Sequence, residues 1–270
     1  MSKMGLRVKN IEVGNRIGEA SKFRIYSGKT DSGEQVILKV AKTFEDGDIL
    51  AEEASEFNIL RTFETQVALL EEQQGHTSSH YDWLFANLSS SFMEATQEDR
   101  RINVFTIPDI DLSKLIPLTK LHSEIEIDAR TSVWILGRFL KFYSFFELLA
   151  ASGDNPIARY PLFSPDEYLI GPEKHRLIYY NFSGDMADVV AFDFIKAVVK
   201  FVLDWTIIGD DSAEQRYFDL LKDFSKHGRD SFEEAHGDLY RLVEELWGIR
   251  YYPFTYRDRN TIIWKSIKEN

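Results

Sequence analysis

The 270 residues contain no cysteine. That absence excludes a disulfide framework, a thiolate nucleophile and a cysteine-ligated zinc site. It suits a reducing compartment, and a cytoplasmic location is the expectation. Basic excess is also lacking: 32 Lys and Arg face 44 Asp and Glu, for a net charge of −12. A duplex-binding protein needs a positive surface to displace counterions from phosphates, so nucleic acid is not an expected partner. The one local basic pair, Arg100-Arg101, reads as part of a turn between strands. Long apolar runs are missing too. The longest, Val189 to Trp205, is interrupted by Asp193, Lys196, Lys200 and Asp204. It falls short of the ~20 apolar residues of a spanning helix and reads as a buried helix, so no membrane partner is expected. The opening Met1-Ser2-Lys3-Met4-Gly5 carries no apolar stretch of a secretory signal, and its glycine follows an internal methionine, which is not a myristoylation start.

What is present is core material. Hydrophobic residues make up 44% of the chain and aromatics 14%, with 20 Phe and 12 Tyr. That is the composition of a globular chain, long enough for one large domain or two lobes. The first forty residues read as an antiparallel meander: Arg7 to Asn15, Phe23 to Ser27 and Val36 to Val40, the last two joined by an Asp31–Glu34 turn. A long helix is expected from about Gly47 to Glu72, with Phe57, Leu60, Phe63 and Val67 on one face. Two more strands, Ser89 to Ala95 and Ile102 to Ile107, follow a polar loop. The second half reads as helical: Ser132 to Ala150 is apolar almost all round, which marks a buried helix. Two short strands, Glu167–Ile170 and Arg176–Tyr180, precede Val189–Trp205, and Ala213–Ser225 and Ser231–Trp247 close the series. Strands first and helices second make an α+β chain.

The stretch Ile17-Gly18-Glu19-Ala20-Ser21-Lys22-Phe23-Arg24-Ile25-Tyr26 resembles the glycine-rich loop of protein kinases, in which glycines let backbone amides close over phosphates. Only Gly18 keeps its glycine; Ala20 and Phe23 stand at the other two, and a Phe at the third would fold into the phosphate space. Fourteen residues beyond Ile25, Lys39 sits in an apolar strand and resembles the kinase lysine that grips phosphates. Glu56, on the following helix, resembles the glutamate that pairs with it. The bland alternative is an exposed strand lysine and a solvated helix glutamate, but a charge inside an apolar strand needs a partner. The order and spacing of these elements are similar to the protein kinase superfamily over about residues 10 to 256, in particular to short bacterial and phage kinase-like proteins. The resemblance implies a bilobal α+β fold over residues 1–270, with a small lobe of five antiparallel strands plus one helix over about 1–110 and a helical lobe over 111–270.

The catalytic signature is where the pattern departs from the family. Against H-R-D-L-x-x-x-N, the stretch Tyr160 to Leu169 puts Leu162 at the catalytic base, Ser164 at the usual lysine and Glu167 at the metal-binding Asn. Asn181-Phe182-Ser183 stands for D-F-G, so the metal-chelating Asp has become an amide. Phosphoryl transfer depends on positioning and on charge neutralisation by Mg²⁺, which prefers carboxylates. The resemblance therefore implies a pseudokinase with no catalytic residues and no metal site. Gly18, Lys39, Glu56, Glu167 and Asn181 remain as the set that would touch a nucleotide, with no cofactor expected beyond weak, Mg²⁺-independent ATP. Asp166, Glu167 and Asp185 stay open as relocated metal ligands. Asp193 reads as a brace for the catalytic-loop backbone, preferred in so apolar a helix to the alternative of an ordinary helix polar position.

Other constellations are bland. His76 and His80 lie in a Gln/Ser/Thr-rich loop and read as solvated. Ser89, Ser90 and Ser91 have no nucleophile-elbow context. Three functions compete: a non-catalytic interaction or regulatory scaffold, a divergent kinase or nucleotidyl transferase with a relocated acid, and a nucleotide-binding switch. The first leads, with a protein partner bearing a basic patch to complement the acidic chain. Gln73 to Phe85 is the first contact candidate because Tyr81 and Trp83 are hot-spot residue types; the alternative is that Trp83 and Leu84 pack under the sheet.

Overall fold

The structure is a computed structural model that describes residues 7–75, 81–94, 99–107, 109, 111–152, 160–181, 186–187, 191–248 and 252–267. The chain divides after Lys114 into two compact units.

The first unit is an antiparallel six-stranded sheet with one helix. Its strands are β1 (Arg7–Val8), β2 (Ile11–Glu19), β3 (Phe23–Thr30), β4 (Gln35–Ala41), β5 (Asn87–Glu94) and β6 (Arg100–Thr106), in spatial order β1-β2-β3-β4-β6-β5. The expected sheet of five strands gains a sixth because the first segment breaks at Lys9, which adopts a left-handed φ of 52° and folds β1 back on β2. Arg100 and Arg101 open β6 instead of forming a turn. β4 is central and buried over Val36 to Lys39, as its apolar run dictates. Ile11, Val36, Leu38, Ile102 and Val104 form the core of one sheet face. Gly28 makes this packing possible, because a Cβ there would come within 2.5 Å of the Leu38 side chain.

Helix α1 (Gly47–Gln73) covers the opposite face. Its buried residues, Leu50, Glu53, Ala54, Phe57, Leu60 and Glu64, recur at three- and four-residue intervals, as one side of a helix must.

The second unit begins with β7 (Ile116–Pro117), α2 (Leu118–Glu124) and β8 (Ile125–Asp128), three short elements the sequence pattern did not separate. The Asp128 carboxylate then caps α3 (Ala129–Ala151), accepting from the Thr131 N–H at 2.8 Å. As its all-round apolar character required, α3 is buried on most sides, with Ile135, Leu136, Phe139, Leu140, Phe145 and Leu149 fully enclosed. β9 (Tyr160–Pro161) leads to the hairpin β10 (Tyr168–Gly171) and β11 (Arg176–Tyr179), which β7 joins as a third strand; β12 (Met186–Ala187) pairs with β9. Helices α4 (Ala191–Trp205), α5 (Ser212–His227) and α6 (Phe232–Trp247) complete the helical body. β13 (Thr206–Ile207), β14 (Phe254–Asp258) and β15 (Lys265–Ile267) assemble with β8 into a four-stranded sheet in the order β13-β8-β14-β15. Among the described residues, no helix is long and apolar enough to cross a membrane.

Candidate functional site

The lysine singled out by sequence stands in the middle of β4, directly opposite Ile25 of β3 and Asn103 of β6. Cross-strand partners project on the same face, so Lys39 and Asn103 reach together toward α1. Lys39 is 0% exposed. Its ammonium donates to Glu53 Oε1. The other carboxylate oxygen, Oε2, accepts from Asn103 Nδ2 at 2.9 Å, and the same amide donates to the Leu50 carbonyl at 2.8 Å. A buried charge pair is tolerable only when its remaining valences are satisfied in this way.

The carboxylate that meets Lys39 is therefore Glu53, and the expected pairing with Glu56 is corrected. Glu53 lies four residues before Phe57 and seven before Leu60, inside the buried stripe of α1. Glu56 is one residue short of Phe57, roughly 100° round the helix from it. It is half-buried, one of its carboxylate oxygens has no hydrogen-bond partner, and burial, reinforced by Glu52 and Glu53, pushes its acid up to about 7.

Two rings enclose the ammonium further. The Phe23 ring centroid lies 5.2 Å from Lys39 Nζ and the Phe105 centroid 5.1 Å. Both residues are buried. Phe23, which the sequence pattern aligns with the third loop glycine, has its ring beside the lysine ammonium. The loop itself is a tight turn: Ala20 N–H donates to the Phe23 carbonyl at 2.9 Å. Gly18 lies within β2, paired with Ile25, and not in the turn. Cations beside the turn are engaged by Glu19, which contacts Lys42 at 2.7 Å, Arg16 at 2.8 Å and Arg24 at 3.8 Å. The Lys42 hydrogen bond, helped by these charges, holds the Glu19 carboxyl below the usual carboxylate range.

In the second unit, Leu162 lies between β9 and β10 and is 43% exposed. A one-turn 3₁₀ segment, Pro165–Glu167, carries Asp166 outward and Glu167 inward. The Glu167 carbonyl accepts from the Tyr180 N–H at 3.0 Å, which closes the open end of the β10–β11 hairpin and sets Glu167 opposite Tyr180, the residue before Asn181. The Glu167 carboxylate is buried near Tyr143 and Tyr168; burial raises both phenols, and the carboxylate raises them further. Asp193 is exposed on α4, so the reading of it as a buried brace is corrected. Phe182, Ser183, Asp185, His76 and His80 lie outside the described residues. Among the described residues, no three His, Asp or Glu side chains converge as metal ligands. Leu84 and Phe85 are buried, whereas Tyr81 and Trp83 are half-exposed in a short 3₁₀ turn.

Asn103 and Glu53 were missed by sequence reasoning, although both were visible. A lone amide in Ile102-Asn103-Val104-Phe105 must find a partner once that strand is buried. The periodicity of α1 points to position 53 as well.

No family model and no curated protein sequence matches this chain. Solved structures do. The structure of vaccinia related kinase 3 aligns over 87% of this chain and 88% of its own, at 11% identity and a TM-score of 0.55. The fold is protein-kinase-like. The PknI kinase domain of Mycobacterium tuberculosis aligns over 90% of this chain and 100% of that domain, at 10% identity and a TM-score of 0.48. At such identities the likeness concerns the fold alone. A fold of this kind leaves the chemistry to the side chains.

Proposed function

We propose that this chain is a pseudokinase, a protein-kinase-like fold that transfers no phosphate and acts by presenting a surface to a protein partner. The observation that carries this reading is the enclosure of Lys39. A phosphate-gripping lysine needs an open donor, but this ammonium is fully buried against Glu53 and flanked by the Phe23 and Phe105 rings. The change at Leu162 acts in the same direction. General base catalysis contributes roughly 10²–10⁴-fold, and an aliphatic side chain accepts no proton. Asn181 offers a neutral oxygen where magnesium favours a carboxylate. Lys39 and Glu53 are retained, on this reading, as the internal strut that joins β4 to α1.

A surface function fits the charge of −12, which steers association toward a partner with a basic patch. Tyr81 and Trp83 supply half-exposed aromatic contact area. The test is phosphate transfer from γ-labelled ATP, to the chain itself and to generic protein substrates, with Lys39→Ala as control. The expected result is no label above the control. Label that is incorporated by the native chain and lost in the variant overturns the proposal and favours a divergent kinase with a relocated acid. Affinity capture from the native host tests the surface. Tyr81→Ala and Trp83→Ala are expected to fold normally and lose a partner, and retention of every partner by both variants removes this segment from the proposal.

A further inference from the structure

The second unit contains a cavity of about 450 Å³ between α3 and α6, closed at one side by the β10–β11 turn and by Tyr252. Its volume lies in the usual range for small-molecule sites, ~300–1,000 Å³. Three features of its lining go together.

The first is charge. Arg130, Trp134, Arg138 and Lys141 recur at four, four and three residues along α3 and therefore share a face. Arg130 and Arg138 line the cavity, with Glu244 as the acidic lining residue. Among the described residues, neither arginine has a carboxylate within ion-pairing distance. In a chain with 44 acidic side chains, two arginines in one cavity with neither ion-paired run against the overall balance.

The second is preorganisation. The Arg130 guanidinium lies 4.9 Å from the Tyr252 ring centroid and 5.7 Å from that of Trp247, so its plane is held while its N–H edges remain available. Arg138 Nε donates to the His175 carbonyl at 3.3 Å, which fixes its fork by one edge. His175 in turn donates from Nε2 to the Tyr252 carbonyl at 2.9 Å and ties the turn to the closing segment.

The third is an unmet donor. Trp134 lines the cavity between the two arginines, and its indole Nε1–H is buried with no hydrogen-bond partner. Buried donors are almost always satisfied, so one left open in a cavity marks a place for an acceptor. The walls beside it, Trp134, Tyr240 and Tyr252, are aromatic.

We propose that this cavity binds a small ligand with an oxyanion, carboxylate or phosphate, on a flat aromatic body. The arginine forks match the paired oxygens of the oxyanion, the Trp134 N–H supplies a further donor, and the rings stack on the body. The site lies wholly within the second unit and does not depend on the pseudokinase reading.

The test is calorimetric titration of the full chain with 1-naphthoate, 1-naphthyl phosphate and the neutral 1-naphthamide at low salt. One or both anions are expected to bind with one-to-one stoichiometry and Kd below about 1 mM, and naphthamide at least about tenfold more weakly, the value of one charge-assisted contact. The preferred anion identifies the source chemistry. Arg138→Gln is expected to weaken the anion about tenfold and Trp134→Phe about threefold, whereas Arg241→Gln, on α6 and paired with Asp238, leaves affinity unchanged. Thermal melts identify any variant that misfolds, and Arg138→Lys then replaces Arg138→Gln, with the same direction expected because the fork is lost while charge remains. Equal affinity for naphthamide, no binding of any probe up to 5 mM (about five times the expected Kd), or unchanged affinity in folded Arg138 and Trp134 variants overturns the proposal.

Discussion

Lys39 of β4 and Glu53 of α1 form an ion pair that is essentially invisible to solvent, at 0% and 1% side-chain exposure, with Asn103 holding the second carboxylate oxygen. The pair ties the central strand to the only helix that covers it among the described residues of the first unit. Its position makes Lys39 structural before it is anything else.

Breaking one half of the pair leaves a buried charge without compensation. Lys39→Met is expected to cost about 3–5 kcal/mol in denaturant unfolding. The double variant Lys39→Met with Glu53→Gln removes both charges and keeps an acceptor for the Asn103 amide, so it should recover more than half of that loss. A double variant no more stable than Lys39→Met would show that the charge pair is not the source of the effect.

Glu56 contributes a pH dependence to α1. Its acid is raised by burial and by Glu52 and Glu53 to about 7, from an ordinary value of 4.5. The folded state therefore holds its proton more tightly than the unfolded chain. Stability from this group is present below pH 4.5 and is lost as pH rises through 7. Glu56→Gln should raise the melting temperature at pH 8 and leave it nearly unchanged at pH 4. Because the group is only half-buried, screening reduces the gain to on the order of 1 kcal/mol, or about 2–4 °C. The same substitution at Glu53 should destabilise at both pH values, which separates the two glutamates.

The Phe23 ring is one of the groups that enclose Lys39. Lysine acylation followed by mass spectrometry should find Lys39 protected in the native chain, while exposed lysines such as Lys22 and Lys29 react. Phe23→Ala is expected to destabilise by about 3–5 kcal/mol and to raise the Lys39 labelling rate relative to those lysines under native conditions. A native Lys39 that reacts as fast as Lys22 would contradict the enclosure.

The sheet, the long helix and the helical second half were legible because each rests on a local pattern: a short apolar run at Val36–Val40, a period of 3.6 for α1, and continuous apolarity for α3. β8, β13, β14 and β15 were not, because strands of two to five residues carry too little pattern and gain their pairing from distant segments, as Tyr256 does opposite Ile127. In the site, the need of Lys39 for a charged partner was legible from its place in an apolar strand. The glutamate was misplaced because motif spacing on a helix tolerates a one-turn slip, and only the buried stripe decides which carboxylate points inward. Asp193 was misjudged for the same reason: its apolar neighbours Phe194 and Ile195 face the core while it faces solvent.

His236 gives α6 an acid sensitivity. Burial, with Lys141 and Arg138 nearby, lowers its pKa from 6.5 to about 4, and the Tyr240 ring packs at 4.5 Å. The neutral imidazole is the folded form, so stability is present above pH 6.5 and is lost as pH falls toward 4. His236→Gln should flatten this part of the stability profile, whose depth is up to about 3 kcal/mol. An unchanged slope between these pH values in the variant would show that another group is responsible.

The most direct measurement of the central claim is isothermal titration of the purified chain with ATP, with and without Mg²⁺. With Lys39 enclosed by Glu53, Phe23 and Phe105, and on the proposed reading of Asn181 as a neutral replacement for a metal ligand, the account predicts weak or undetectable binding that Mg²⁺ changes by less than about twofold, well under one tenfold step of affinity. Sub-micromolar ATP binding that requires Mg²⁺ and disappears in Lys39→Ala would contradict it.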